Sequence, residues 1–137
     1  MPTVKTRALL FIAALAAIPL AMSARAATTE NFMVRTTADY VALCESRQGS
    51  ENYVAAVHFC QGFASGAYQY YLALAQHQPS SRFVCPPDPA PSRDQVIANF
   101  LAWSRTHQER MSEPAVESLF RYLGETYPCS DAQRAPQ

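Results

Sequence analysis

The chain has 137 residues, of which 49% are hydrophobic and 16% charged, with a formal net charge of zero and four cysteines. That length holds one modest domain and excludes a multidomain enzyme. The 11% aromatic content and the low charge exclude a disordered chain, and the presence of a single long apolar run excludes a polytopic membrane protein.

That run opens the chain. Lys5 and Arg7 precede it, Ala8 to Met22 carries no charge, and Ser23-Ala24-Arg25-Ala26 supplies the small residues a signal peptidase reads. At 15 residues the run falls short of the roughly 20 that a spanning helix needs. The pattern predicts an export signal over 1–26, a periplasmic mature chain and no stable membrane insertion after cleavage. No cysteine stands at the cleavage site, which argues against a lipid anchor. Loss of Lys5, Arg7 and Arg25 leaves 8 arginines, no lysine and 11 acidic residues, a net charge of −3. Nucleic acid needs a basic footprint and an anionic membrane face needs a basic patch, so neither is an expected partner.

Residues 27–36 read as a flexible polar entry. Thr37 offers a hydroxyl cap with Asp39 in the first turn, and Tyr40, Leu43 and Cys44 share one helical face. Gln48-Gly49-Ser50 ends that short helix. The second helix, Glu51 to Gln76, carries Val54, Val57, Phe63 and Ala67 at helical spacing and a further set of Phe59, Tyr70 and Leu74. Apolar on more than one side, it is expected to sit centrally. Gly62 and Gly66 fall four apart in it, each costing about 1 kcal/mol of helix propensity, and they read as sites where another helix or a ring packs closely.

Five prolines between Gln78 and Pro91 forbid helix or inner strand there. A bare loop of that length needs a fastening, and Cys85 provides one. Ser92-Arg93-Asp94-Gln95 is a capping box that opens a third helix with the stripe Val96, Phe100, Trp103, widened by Ile97 and Leu101. Pro114 suits the first turn of a fourth helix. Its expected inner face is Val116, Leu119, Phe120, Leu123 and Tyr127, and Pro128 stops it. Residues 130–137 read as a flexible tail. No strand pattern appears. The expectation is an all-α domain, four helices over 37–129, stapled by two disulfides, since so small a core is marginal without covalent closure.

Four cysteines in an exported chain, at spacings of 16, 25 and 44, read as a disulfide framework with three conceivable pairings. No Cys/His cluster has zinc-ligand spacing, and no metal or cofactor is expected. The histidines His58, His77 and His107 lack a nucleophile and an orienting partner in the sequence. Ser65 lacks the strand and glycine order of a nucleophile elbow, and the acidic residues do not form a glycosidase pair. These features argue against an enzyme. Beyond the needs of a core stand Tyr68, Tyr70 and Tyr71, which cannot all face inward on one helix. Exposed tyrosine is a typical interface anchor, so Tyr68 and Tyr71, with Phe83 in the loop, are candidate partner contacts. Tyrosine hydroxyls reaching solvent at a bundle edge are the plainer alternative.

The order of Leu43-Cys44, Cys60-Gln61-Gly62-Phe63-Ala64-Ser65-Gly66, Phe83-Val84-Cys85-Pro86, Gln95, Phe100-Leu101, Pro114-Ala115 and Tyr127-Pro128-Cys129 resembles the type VI secretion immunity proteins of the Rap/Tai type. The resemblance spans about residues 37–129. One departure is His107-Gln108-Glu109, where the family tends to have His-Pro-Glu. It implies a small periplasmic helical antidote that binds a secreted peptidoglycan amidase and blocks its active site, alone or as a homodimer. The shape also resembles acid-stress chaperones of the HdeA type, which implies a holdase as the alternative function. By that analogy the pairing would be Cys44–Cys129, first helix to chain end, and Cys60–Cys85, loop to central helix.

Overall fold

The computed structural model describes residues 26–134. The expected signal over 1–26 lies outside that range except for Ala26. Four helices form the body: α1 (Thr37–Cys44), α2 (Tyr53–His77), α3 (Arg93–Thr106) and α4 (Ala115–Thr126), with a final helical turn at Asp131–Arg134. Among the described residues there is no strand, only an isolated antiparallel bridge between Val84 and Pro128.

The helix starts follow local chemistry. Thr36 caps α1 by accepting from the Asp39 amide, and the Asp39 carboxylate accepts from the Thr36 amide at 3.0 Å and its hydroxyl at 2.9 Å. Ser92 and Gln95 form the expected reciprocal box on α3. The first-turn amides of α1, which have no partner within the helix, donate to the segment preceding α4: Thr37 N to Glu113 O at 2.8 Å and Ala38 N to Met111 O at 3.0 Å. The buried Thr37 hydroxyl donates to Ser118 Oγ at 2.8 Å, so the starts of α1 and α4 are tied together.

Residues 27–36, read from the sequence as a flexible entry, pack instead. Ala27 is buried, Thr29–Met33 forms a 3-10 turn, Phe32 meets Phe59 edge-on at 5.5 Å, and Asn31 Nδ2 donates to Asp39 Oδ1 at 3.0 Å. Burial alone would raise the Asp39 pKa. Hydrogen bonds from Asn31, from Thr36 and from the backbone outweigh it and hold the carboxyl below its ordinary value.

The core centres on Tyr40, Leu43, Phe100, Leu119 and Val84, all essentially without solvent contact. The Tyr40 ring packs on Phe63 at 4.9 Å and on Phe100 at 5.5 Å, and its hydroxyl donates to Cys60 O at 3.1 Å. The α3 stripe faces inward as the periodicity predicts, with Ile97 and Phe100 buried. On α4, Leu119 and Leu123 are buried as expected, but Val116 is 45% exposed and Tyr122 takes an inner place.

The disulfides correct the expected pairing. Cys44 bonds to Cys60 and Cys85 to Cys129. Tyr40 and Cys44 lie one turn apart on one face of α1, and that face meets α2 where the Tyr40 hydroxyl reaches Cys60, leaving Cys44 against Cys60. The proline loop instead meets the chain end. Cys85 N donates to Tyr127 O at 2.8 Å and Cys129 N to Phe83 O at 3.3 Å, and this short antiparallel pairing brings the two cysteines together. The cross-links therefore close consecutive loops of 16 and 44 residues, and none runs from the first helix to the last.

The position of α2 is the second correction. Its buried stripe is Ala56, Cys60, Ala64, Tyr71 and Ala75, mostly small residues that let α2 approach its neighbours. Two residues along a helix is about 200° around it, so Gly62 and Gly66 lie on the far side from Cys60 and Ala64. Phe59, Tyr70 and Leu74 are exposed there. The helix is peripheral, with one face on the core and one open.

Candidate functional site

Two surfaces stand out, and both involve α2. The first is its open face. The 25-residue helix contains no Asp, Glu, Lys or Arg. Val54, Phe59, Tyr70 and Leu74 are 65%, 39%, 68% and 50% exposed. A Cβ added at Gly62 or Gly66 would meet nothing within 4 Å. Among the described residues the glycines thus pack against no other part of the chain, contrary to an internal packing role. The glycine that does admit a close neighbour is Gly124 on α4, where an added Cβ would lie 3.1 Å from the Phe83 ring. Sequence reasoning did not single it out.

The second surface is the corner where α2 meets the proline loop. The tyrosine cluster of α2 divides by helical phase. Tyr71 continues the stripe of Ala64 and Ala67 and is buried, Tyr68 is half-buried, and Tyr70 is exposed. The Tyr71 hydroxyl accepts from the Phe83 amide at 2.8 Å and the Val84 amide at 2.9 Å. Its ring packs against Phe83 at 5.1 Å, Phe120 at 5.2 Å and Tyr68 at 6.0 Å. The three residues expected to contact a partner, Tyr68, Tyr71 and Phe83, are therefore gathered into one cluster. Tyr71 is its buried pin and is not available for contact, which corrects that expectation. Phe83 remains 42% exposed. Burial raises the Tyr68 phenol above its ordinary pKa, with Tyr71 adding and Arg82 opposing.

Beside this corner runs a groove of about 230 Å³. The lining includes Ala64, Ser65 and Tyr68 of α2, Pro86 and Pro91 of the loop, Val96 of α3, and Leu119 and Leu123 of α4. Two fastenings hold the loop side: the Cys85–Cys129 bond and the two amides on Tyr71. Loop residues held this way lose little freedom on binding.

Several of the remaining polar groups make contacts that hold the fold together. His107 Nδ1 lies 2.8 Å from Trp103 O, and its ring stacks on Trp103 at 4.1 Å. Trp103 Nε1 donates to Glu125 Oε2 at 2.9 Å. Glu113 holds Arg110 at 2.8 Å beside the start of α4. Among the described residues no group of His, Cys, Asp and Glu is placed to hold a metal ion, and no helix is long and apolar enough to cross a membrane.

The sequence model of the Rap1a immunity proteins matches residues 36–129. The chain belongs to the Rap1a immunity protein family. The match begins at Thr36, the cap of α1, and ends at Cys129, so it contains all four helices and both disulfides. The open α2 face and the Tyr68–Phe83 corner both belong to the family's matched region. Comparison with curated proteins and with solved structures gives no match.

Proposed function

We propose that this Rap1a-family chain is an exported, non-catalytic type VI immunity protein that neutralises a cell-wall amidase by sterically blocking its active site. Family membership supports an immunity role toward a protein effector. Periplasmic residence fits a protein held by two disulfides, since such bonds persist in oxidising compartments. The observation that carries the binding reading is the open face of α2: large apolar side chains, two bare glycines and no Asp, Glu, Lys or Arg, beside the partly exposed Phe83. Exposed aromatic anchors on a stiff support are what a protein interface uses. The proposed contacts are Tyr70, Leu74 and Phe83, with Tyr68 at the edge.

A homodimer would draw on the same face, because two copies of a surface without Asp, Glu, Lys or Arg meet with little like-charge repulsion. The holdase alternative keeps its likeness in shape to acid-stress chaperones but lacks the disulfide from first helix to last that the likeness implied, since Cys44 bonds to Cys60 and Cys85 to Cys129.

The test is co-expression with the secreted hydrolase encoded at the neighbouring locus, followed by affinity capture and a peptidoglycan-hydrolysis assay. Capture with loss of hydrolysis is expected, and Tyr70→Glu should weaken both without lowering the melting temperature. Hydrolysis that continues at full rate in excess folded chain would overturn the proposal.

A further inference from the structure

The groove beside the proline loop carries an inference that does not depend on any protein partner. It runs down to Leu119 and Leu123, which are core residues of α4 at 2% and 6% exposure. Its volume of about 230 Å³ has room for about eight groups of water size, at roughly 30 Å³ each. The walls are predominantly carbon, so water in the groove finds few hydrogen-bond partners. Among the lining residues Arg93 carries the only full charge, and it has no ion-pair or side-chain hydrogen-bond partner among the described residues. The acidic neighbour Asp94, on the same first turn of α3, is engaged by Gln61 Nε2 at 3.1 Å.

We infer that the groove binds an unbranched aliphatic carboxylate, with the alkyl chain lying against Leu119, Leu123 and Val96 and the carboxylate at the Arg93 guanidinium. The charge is complementary and the length is set by the volume. A peptide strand fits these walls worse. Each of its residues brings an amide N–H and a carbonyl that need partners, and the side chains lining the groove offer few beyond Ser65, Tyr68 and Arg93. An alkyl chain brings no such groups. Sites of this composition, apolar with a few placed polar groups, are the usual form of small-molecule pockets.

The probe is decanoate, titrated into the full disulfide-bonded chain and followed by amide chemical shifts. Saturable shifts are expected at Ser65, Val96 and Leu123 and none along α1. Arg93→Glu should weaken binding about three- to tenfold, the range of an exposed ion pair made and then reversed. Ser65→Phe, which fills the groove, should abolish binding. Ala90→Phe, on the exposed loop, gives the same readout should the first variant fold poorly. Arg47→Glu, an equal charge change at the α1–α2 turn, should bind as the native chain does. Decylamine, the same chain with the opposite charge, should bind about three- to tenfold more weakly. Absence of saturable shifts, equal binding of decylamine, or full binding by both Ser65→Phe and Ala90→Phe would overturn the inference. So would a short apolar peptide that shifts the same amides where decanoate does not.

Discussion

Tyr71→Phe removes one oxygen from a ring that keeps all its packing. The consequence lies in the loop. The hydroxyl accepts two backbone amides, those of Phe83 and Val84, at 2.8 and 2.9 Å. Val84 has no solvent exposure and Phe83 is partly exposed. A buried amide left without a partner costs about 1–3 kcal/mol. Val84 should incur most of that penalty and Phe83 a smaller one, giving about 2–4 kcal/mol in all. The loop cannot relax into water to recover it, because Cys85 is bonded to Cys129 and to the Tyr127 carbonyl. Against a typical total of about 5–15 kcal/mol, such a loss is large. Denaturant unfolding at unchanged m-value would measure it, with amide exchange at Val84 as the local readout. Tyr68→Phe, whose hydroxyl fastens no loop amide, is the control and should fall within about 0.5 kcal/mol. A Tyr71→Phe chain as stable as the native, with Val84 still protected, would refute the pinning argument.

The disulfide pairing is directly readable, because cleavage after arginine places each cysteine in a separate peptide: 36–47, 48–82, 83–93 and 122–134. Non-reducing digestion should give 36–47 joined to 48–82, and 83–93 joined to 122–134, whereas 36–47 joined to 122–134 would restore the first-to-last pairing. Replacing each pair by alanine should cost about 3 kcal/mol for the 16-residue loop and about 4 kcal/mol for the 44-residue loop by chain entropy, measured by thermal or denaturant melts. Gly62→Ala with Gly66→Ala should stabilise the isolated chain by up to about 2 kcal/mol, since each alanine gains about 1 kcal/mol of helix propensity and meets no neighbour. The same double variant should weaken effector capture if the face is the interface. A destabilised double variant would show that the glycines pack within the fold. Asp39 has its folded pKa depressed, so its stabilisation is present above the unfolded value near 4 and is lost as pH falls through the folded value. Asp39→Ala should cost about 1 kcal/mol at neutral pH and flatten that acid limb in a pH series of melts, and an unchanged limb would remove Asp39 from the account.

The sequence was most readable where a local rule decides the outcome. Ser92 with Gln95 set the start of α3, the prolines between Gln78 and Pro91 excluded α-helix, leaving only a 3-10 turn at Pro79–Ser81, and Phe100 with Ile97 marked the buried stripe. These depend on neighbours within one turn, and the structure agrees. The disulfide pairing was not readable in that way, because it depends on which segments meet after folding. A weak signal was present: Phe83-Val84-Cys85 and Tyr127-Pro128-Cys129 repeat an aromatic-x-Cys pattern, and these are the triplets that form the short bridge. Tyr71 was also assignable. It lies in phase with Ala64, Ala67 and Ala75, which places it inside, while Tyr70, one residue earlier, falls about 100° away.

The misreading of α2 has a single physical source. Apolar residues at helical spacing report that a face avoids water, but they do not say whether the cover comes from the same chain. For Val96, Phe100 and Leu119 the cover is internal. Tyr70 and Leu74 stay open among the described residues, Phe59 is covered only in part by Phe32, and the glycines between them meet no described neighbour. The buried side of the helix already has its own close-packing residues in Ala56, Cys60 and Ala64. The glycines of the open side therefore weaken the helix without improving the core. An interior that is complete without them leaves that face free for a partner from outside, and this is the physical basis of the proposal that the chain acts by recognition.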